Sequence, residues 1–266
     1  MLWIWLAVAA LAVDLLITGF VLWRAYKRRR LLAALCKPLA EAQPGSLPPA
    51  VRAYAEAAGG VVEAGRLIRS KQACSLRFQP GQSWHELKAT SQVAIRQPGF
   101  IWQSSIKAGP LPLISVVDAY VSGQGLLDAR LLSLLPLAQA KGEAADLAEA
   151  MRYLAELPWA PDAILNAPGL TWREQTDGSF EVETQTASGP AKVTLWLEET
   201  GCRVRAENRP RAVPGGTVPT PWEGRFWNPQ QIGARLLPSE AEVAWILPDG
   251  PFVYWKGKLL DYRIET

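Results

Sequence analysis

A nucleophile needs a base, and His85 is the only histidine in the chain, so any Ser-His or Cys-His pair has to use it. None of the three cysteines and no GxSxG stands near it in sequence. His85 shares parity with Leu87 and Ala89, which reads first as a hydrogen-bonded histidine at a strand start or sheet face and second as a ligand contact. Cys36, Cys74 and Cys202 are odd in number, widely spaced and free of any CxxC, so neither a disulfide framework nor a metal site is expected. There is no GxxxxGK[ST], and Gly123-Gln124-Gly125 lacks the rest of a dinucleotide fingerprint, so no cofactor is expected either. Glu181/Glu183, Glu198/Glu199 and Glu240/Glu242 offer carboxylate pairs, but Phe180, Val182, Ala241 and Val243 alternate with them, which makes those glutamates a solvated sheet face. Asp118 and Asp128 stand among apolar neighbours, and Asp128 with Arg130, two apart on one strand, is read as a buried ion pair. No catalytic set emerges, and a hydrolase is the third-ranked reading.

Aromatic residues are the resource the sequence offers instead. Of 12 tryptophans, nine lie beyond the first thirty residues. On the concave side of a curved sheet they could line an apolar cavity, or they could fill the core outright. The candidate ligand-binding residues are Trp84, His85, Trp102, Tyr120, Arg130 and Trp159 in the first part of the chain. Trp222, Arg225, Phe226, Trp245, Tyr254 and Trp255 complete them. Stacking on nucleic acid would need interleaved basic residues, and Arg203, Arg205, Arg209 and Arg211 are the only cluster. Residues 1–30 hold four of the net positive charges, so the +3 of the whole chain leaves the remainder at −1, with no nucleic-acid partner implied.

Leu2 to Trp23 is a nearly unbroken apolar run, roughly 33 Å long as a helix at ~1.5 Å per residue, enough for a hydrocarbon core of ~30 Å. Nothing charged but the amino terminus precedes it, unlike a cleaved signal peptide. Arg24, Lys27, Arg28, Arg29 and Arg30 follow it, which puts everything from residue 24 onward in the cytoplasm. Trp3, Trp5 and Trp23 suit the membrane interfaces, and Asp14 near the midplane is either tolerated or faces a helix partner. The expected organisation is an anchor with a basic flank over 1–30, a juxtamembrane helical connector over 31–60 in which Pro38 bends or ends the first helix, and a β domain over 61–266. Ser46 before Leu47-Pro48-Pro49 signals a short helix running to Gly59-Gly60.

From Arg66 the apolar period becomes two: Ile68, Cys74, Leu76 and Phe78, then Leu87, Ala89, Val93 and Ile95 after the Pro80-Gly81 turn. Further strands are expected over 100–107, 113–121 and 126–137, separated by turns at Pro98-Gly99, Gly109-Pro110 and Gly123-Gln124-Gly125. One strong helix is expected from Glu143 to Leu157, striped by Leu147, Ala150, Met151, Leu154 and Leu157, with a short turn over 161–165. Strands resume over 171–176 and 179–186 about an Asp177-Gly178 turn, then over 191–197, 202–208, 222–227, 240–247 and 252–264. Arg209 to Pro221, rich in Pro and Gly, is expected to be a loop. The fold class is α+β, mainly β: a transmembrane helix, then a curved antiparallel sheet, a half-barrel, clasping one internal helix.

The segments Leu154-Ala155-Glu156-Leu157-Pro158-Trp159, Thr220-Pro221-Trp222-Glu223-Gly224-Arg225-Phe226 and Val243 to Gly257 resemble a bacterial family of uncharacterised proteins, from about Leu47 to the end. That resemblance implies a domain of a membrane-anchored bacterial family, not an activity; the bacterial inner membrane is the location expected from the apolar run and its basic flank. Gln97-Pro98-Gly99-Phe100-Ile101-Trp102 and the strand layout are similar to the lipoprotein-carrier half-barrels, whose cavities hold acyl chains; those carriers are periplasmic, against the charge-based orientation. The leading expectation is a single-pass membrane protein whose half-barrel binds a lipid or other hydrophobic ligand without chemistry. A protein-interaction module, presenting a Trp/Arg surface around Pro221 to Trp227, is the runner-up.

Overall fold

The computed structural model describes residues 1–37, 45–108 and 111–266; the side chains of residues 2, 7, 9, 10, 13, 16, 107, 108, 111 and 112 are also outside the described set. The expected bend at Pro38 and the Gly109-Pro110 turn therefore lie outside the described residues. The chain divides into two compact units, Met1–Ala34 and Leu35–Thr266. The first is one helix, α1 (Leu2–Leu35), on which the Lys27 ammonium sits 3.9 Å from the centre of the Trp23 ring. Among the described residues no helix is long and apolar enough to cross a membrane.

The second unit is mainly β. Its thirteen strands are β1 (Leu67–Leu76), β2 (His85–Ala94), β3 (Phe100–Ala108), β4 (Leu111–Val121), β5 (Gln124–Leu131), β6 (Leu135–Ala140), β7 (Thr171–Glu174), β8 (Phe180–Thr186), β9 (Gly189–Glu198), β10 (Gly201–Val213), β11 (Gly216–Ile232), β12 (Arg235–Leu247) and β13 (Gly250–Glu265). They form one antiparallel sheet in the order β6-β5-β4-β3-β2-β1-β13-β12-β11-β10-β9-β8-β7. Two meanders are thus sewn together by the β1–β13 pair, and the chain leaves the sheet at one edge, β6, and re-enters at the other, β7.

In this unit one helix precedes the sheet, and the others lie in the chain between those edges. Helix α2 (Pro49–Ala57) starts on a proline whose missing N–H would be unpaired there in any case, and it buries Val51 and Ala55. Helix α3 (Glu143–Ala155) packs on β4 and β5 from one limb of the sheet and on β8, β9 and β10 from the other, so the sheet curls around it as a half-barrel. A short 3-10 turn (Leu157–Trp159) and helix α4 (Pro161–Asn166) follow. Asp146, in the first turn of α3, latches the two limbs: it accepts from Gly125 N (2.7 Å) on β5 and from Ser188 Oγ (2.7 Å) in the β8–β9 turn. Ala187 N donates to Gly123 O at 2.8 Å across the same seam.

Three expectations are corrected. The 126–137 run is two strands, because Leu132 (φ 49°) and Ser133 (φ 60°) make a tight left-handed turn without the glycine or asparagine that normally announces one. Arg209 to Pro221 is no loop: β10 runs to Val213, and β11 starts at Gly216. Pro210 and Pro219 face each other in that hairpin beyond the last β9 and β12 pairs, Arg205–Thr194 and Trp222–Trp245, where a missing N–H costs no ladder bond. Pro229 and Pro238 repeat the device at the other end of β11. Finally, Phe78 lies past the end of β1 and is exposed rather than continuing the inward row of Ile68, Cys74 and Leu76.

Candidate functional site

Inward positions follow from the register. Cys202, Val204 and Ala206 on β10 are buried, and strict alternation would then turn Arg209 outward. A bulge between Ala206 and Arg209 sets one extra β10 residue against β11, so Arg209 pairs with Thr220 and swings inside. Its guanidinium lies 4.9 Å from the centre of the Trp222 ring and 5.3 Å from that of Trp245, and its Nε donates to Ala148 O on α3. On the side of the opposite limb, Arg152 of α3 sits 5.0 Å from the rings of both Phe100 and Trp102 on β3. Two guanidiniums on aromatic faces, each desolvated, make a cation–π framework at the middle of the concave face.

Three carboxyls face these two cations. Asp118, inward on β4, pairs with Arg152 Nη1, and Glu156 accepts from Arg152 Nε at 2.8 Å. Glu149 lies 3.7 Å from Arg209 Nη2. Burial, then the neighbouring Asp118 carboxyl, holds the Glu149 acid well above the usual carboxylate range. Asp118 Oδ1 and Glu149 Oε2 are both buried and find no donor among the described residues. The cations and carboxyls of α3 fall at 146, 149, 152 and 156, a helical stripe that reads in the sequence as a solvated face. In the fold that stripe is covered by β4, β5 and β10, which is why sequence reasoning missed Glu149 and Arg152; Arg209 was missed because only the β10 bulge turns it inward.

The aromatic candidates separate into groups. Trp222, Trp245 and Tyr254 come together: Trp222 Nε1 donates to Tyr254 Oη at 3.0 Å, and Trp245 stacks on Tyr254 with ring centres 5.9 Å apart; Trp102, under Arg152, donates from Nε1 to Gln72 Oε1 at 2.9 Å. Trp159, Phe226 and Trp255 form an adjoining cluster, with Trp159 edge-on to Phe226 at 5.1 Å and its Nε1 donating to Pro238 O at 2.7 Å. Trp102, Trp159, Trp222 and Phe226 are buried, whereas Trp245, Tyr254 and Trp255 remain half-buried beside Val243 and Leu76.

The other candidates lie elsewhere. Tyr120 is buried at the seam, its Oη donating to Gln185 O at 2.9 Å and its phenol pushed up to about 12 by burial. Trp84 sits in the β1–β2 hairpin under the Arg77 guanidinium, 4.6 Å away, and His85 is exposed against Phe78. Arg130 is on the face opposite Gly125 and holds Asp128 through Nε at 2.9 Å, the ion pair expected from their spacing. Arg225 is exposed on the outer face and donates to Glu223 at 3.0 Å. It borders a shallow outer pocket of about 280 Å³ with Glu198, Cys202, Arg203, Phe226 and Trp227. Burial raises the Cys74 thiol to about 12 and the Cys202 thiol further, so neither is a ready thiolate. Among the described residues no three His, Cys, Asp or Glu side chains are placed to hold a metal ion.

A model for a family of unknown function, DUF6544, matches residues 37–257. Among solved structures the chain is similar to a LolA-superfamily protein of Nitrosomonas europaea, with a TM-score of 0.42 and 13% identity over 81% of this chain and 94% of the other. It is also similar to a Vibrio parahaemolyticus structure described as an outer membrane lipoprotein-sorting protein domain, with a TM-score of 0.43 and 11% identity over 82% and 92%. No curated protein matches.

Proposed function

This chain belongs to DUF6544, a family of unknown function, and from its own geometry we propose that it is a membrane-anchored, non-catalytic domain that binds a hydrophobic ligand, a lipid or acyl chain, on the concave face of its half-barrel. The observation that carries this reading is the half-buried row of Trp245, Tyr254 and Trp255 with Val243 and Leu76, large apolar groups facing inward yet still wet. Covering such a row removes apolar surface from water at ~25 cal/mol per Å², and the pre-stacked rings lose little freedom when they do so. Below the row Trp102, Trp159 and Trp222 already fill the barrel, so the ligand lies along the mouth rather than deep within it. In this reading the apolar run from Leu2 to Trp23 is the anchor, and the five basic residues after it favour the cytoplasmic side of a bacterial inner membrane for the domain.

A direct test uses the full chain with Trp3, Trp5 and Trp23 changed to Phe, in detergent micelles, titrated with a brominated fatty acid. Bromine quenches nearby indoles, so tryptophan emission should fall saturably, and Trp245→Ala with Tyr254→Ala should abolish the saturable part. Emission that falls only linearly, as for collisional quenching, overturns the reading. A second reading rests on the outer pocket at Arg203, Arg225 and Trp227, where cations and an exposed indole share one concavity suited to a protein partner.

A further inference from the structure

We propose that Glu149 keeps its proton and donates it in a hydrogen bond to Asp118, and that this buried bond keeps α3 seated between the two limbs of the half-barrel. Asp118 and Glu149 are 8% and 7% exposed, and each keeps one carboxyl oxygen, Oδ1 and Oε2, for which the fold provides no donor. The other oxygens are committed, Asp118 Oδ2 to Arg152 and Glu149 Oε1 to Arg209. Asp118 is the acidic neighbour of Glu149 in this cluster, so a single proton on Glu149 satisfies both orphaned atoms at once.

Charge leads to the same count. The groups facing Glu149 are Asp118 from β4, Arg152 and Glu156 from its own helix, and Arg209 from β10, with Cys74 of β1 beyond Arg152. The inward rows of β5, β8 and β9, among them Gly125, Leu127, Phe180, Val182, Thr184 and Val193, add no titratable group. Three carboxyls against two guanidiniums leave one negative charge, and one proton makes the buried cluster neutral. If that proton leaves, two carboxylates repel each other inside an aromatic wall, and the repulsion is relieved by moving α3, which carries Glu149, away from β4.

The sign follows from linkage. A carboxyl that holds its proton more tightly when α3 is seated stabilises the seated state fully below the ordinary carboxylate range. That advantage is lost as pH rises from there to the folded-state value, about tenfold in the opening equilibrium per pH unit. The proposal concerns the same concave face as the binding reading, but its readouts need no ligand, so either can fail without the other.

The test is hydrogen exchange of the α3 amides in the full chain in detergent micelles at pH 6 and pH 8, corrected for intrinsic base catalysis, alongside Glu149→Gln. The glutamine keeps a donor towards Asp118 and cannot ionise. In the native chain the opening equilibrium should rise with pH, by up to about tenfold per unit until the folded-state value of Glu149 is passed, and in Glu149→Gln it should stay flat. Infrared spectra of the native chain at pH 6 should also show the carbonyl stretch of a protonated buried carboxyl that Glu149→Gln lacks. Equal pH profiles for the two chains, or no such band in the native one, would overturn the proposal. Should Glu149→Gln fail to fold, the infrared band of the native chain decides alone.

Discussion

Asp162 has no solvent-exposed surface and spends its carboxylate on one cation: Arg235 donates to it from Nε at 2.9 Å and from Nη2 at 2.7 Å. Val61 N adds a third donor at 3.1 Å, so one side chain ties α4 to the start of β12 and to the segment after α2. Removing one partner of a buried pair leaves the other uncompensated, so Arg235→Met should lower unfolding stability by about 3–5 kcal/mol, measured by urea denaturation. A loss under 1 kcal/mol would show that the pair is a bystander. At this scale the sequence spoke unevenly. Asp128 and Arg130 were legible as a pair because they share one strand and one parity. Glu149 and Arg209 were not: the first sits on a polar helical stripe, and the second depends on a bulge that no residue type between Ala206 and Arg209 announces.

At the scale of elements, α3 is held where small residues let backbones approach. Gly125 on β5 lies so close to α3 that a Cβ there would overlap the Ala145 carbonyl. Gly125→Ala should therefore push the N-terminal turn of α3 off β5 and break the Asp146 latch, destabilising the domain by about 2–4 kcal/mol through overpacking and a lost hydrogen bond. Thermal unfolding followed by near-UV circular dichroism would measure it, and an unchanged midpoint would mean that the helix rides freely over that strand. Alternating patterns made most strands readable, and the stripe of Ala150, Met151, Leu154 and Leu157 made α3 readable. Strand ends were not, since the facing prolines in the β10–β11 and β11–β12 hairpins imitate loop composition while lying in two-stranded ribbons.

For the whole molecule, local period specifies a meander but not which strands meet at its ends. The β1–β13 pair and the seam between the β4–β5 and β8–β9 turns are long-range events that no short window contains. They bring Trp102 from one limb and Trp222, Trp245 and Tyr254 from the other to one face, which is why the aromatic content of the site was visible in the sequence and its division was not. Trp84, His85 and Arg225 share the residue types of the site but lie on the rim or the outer face. The measurement that most directly tests a hydrophobic-ligand domain is native mass spectrometry of the full chain released from gentle detergent, with extraction and identification of whatever remains bound. A lipid or acyl compound at near-unit stoichiometry, lost when Trp245 and Tyr254 are both changed to Ala, is the predicted result. A clean apo mass that takes up no added lipid or fatty acid would contradict the account.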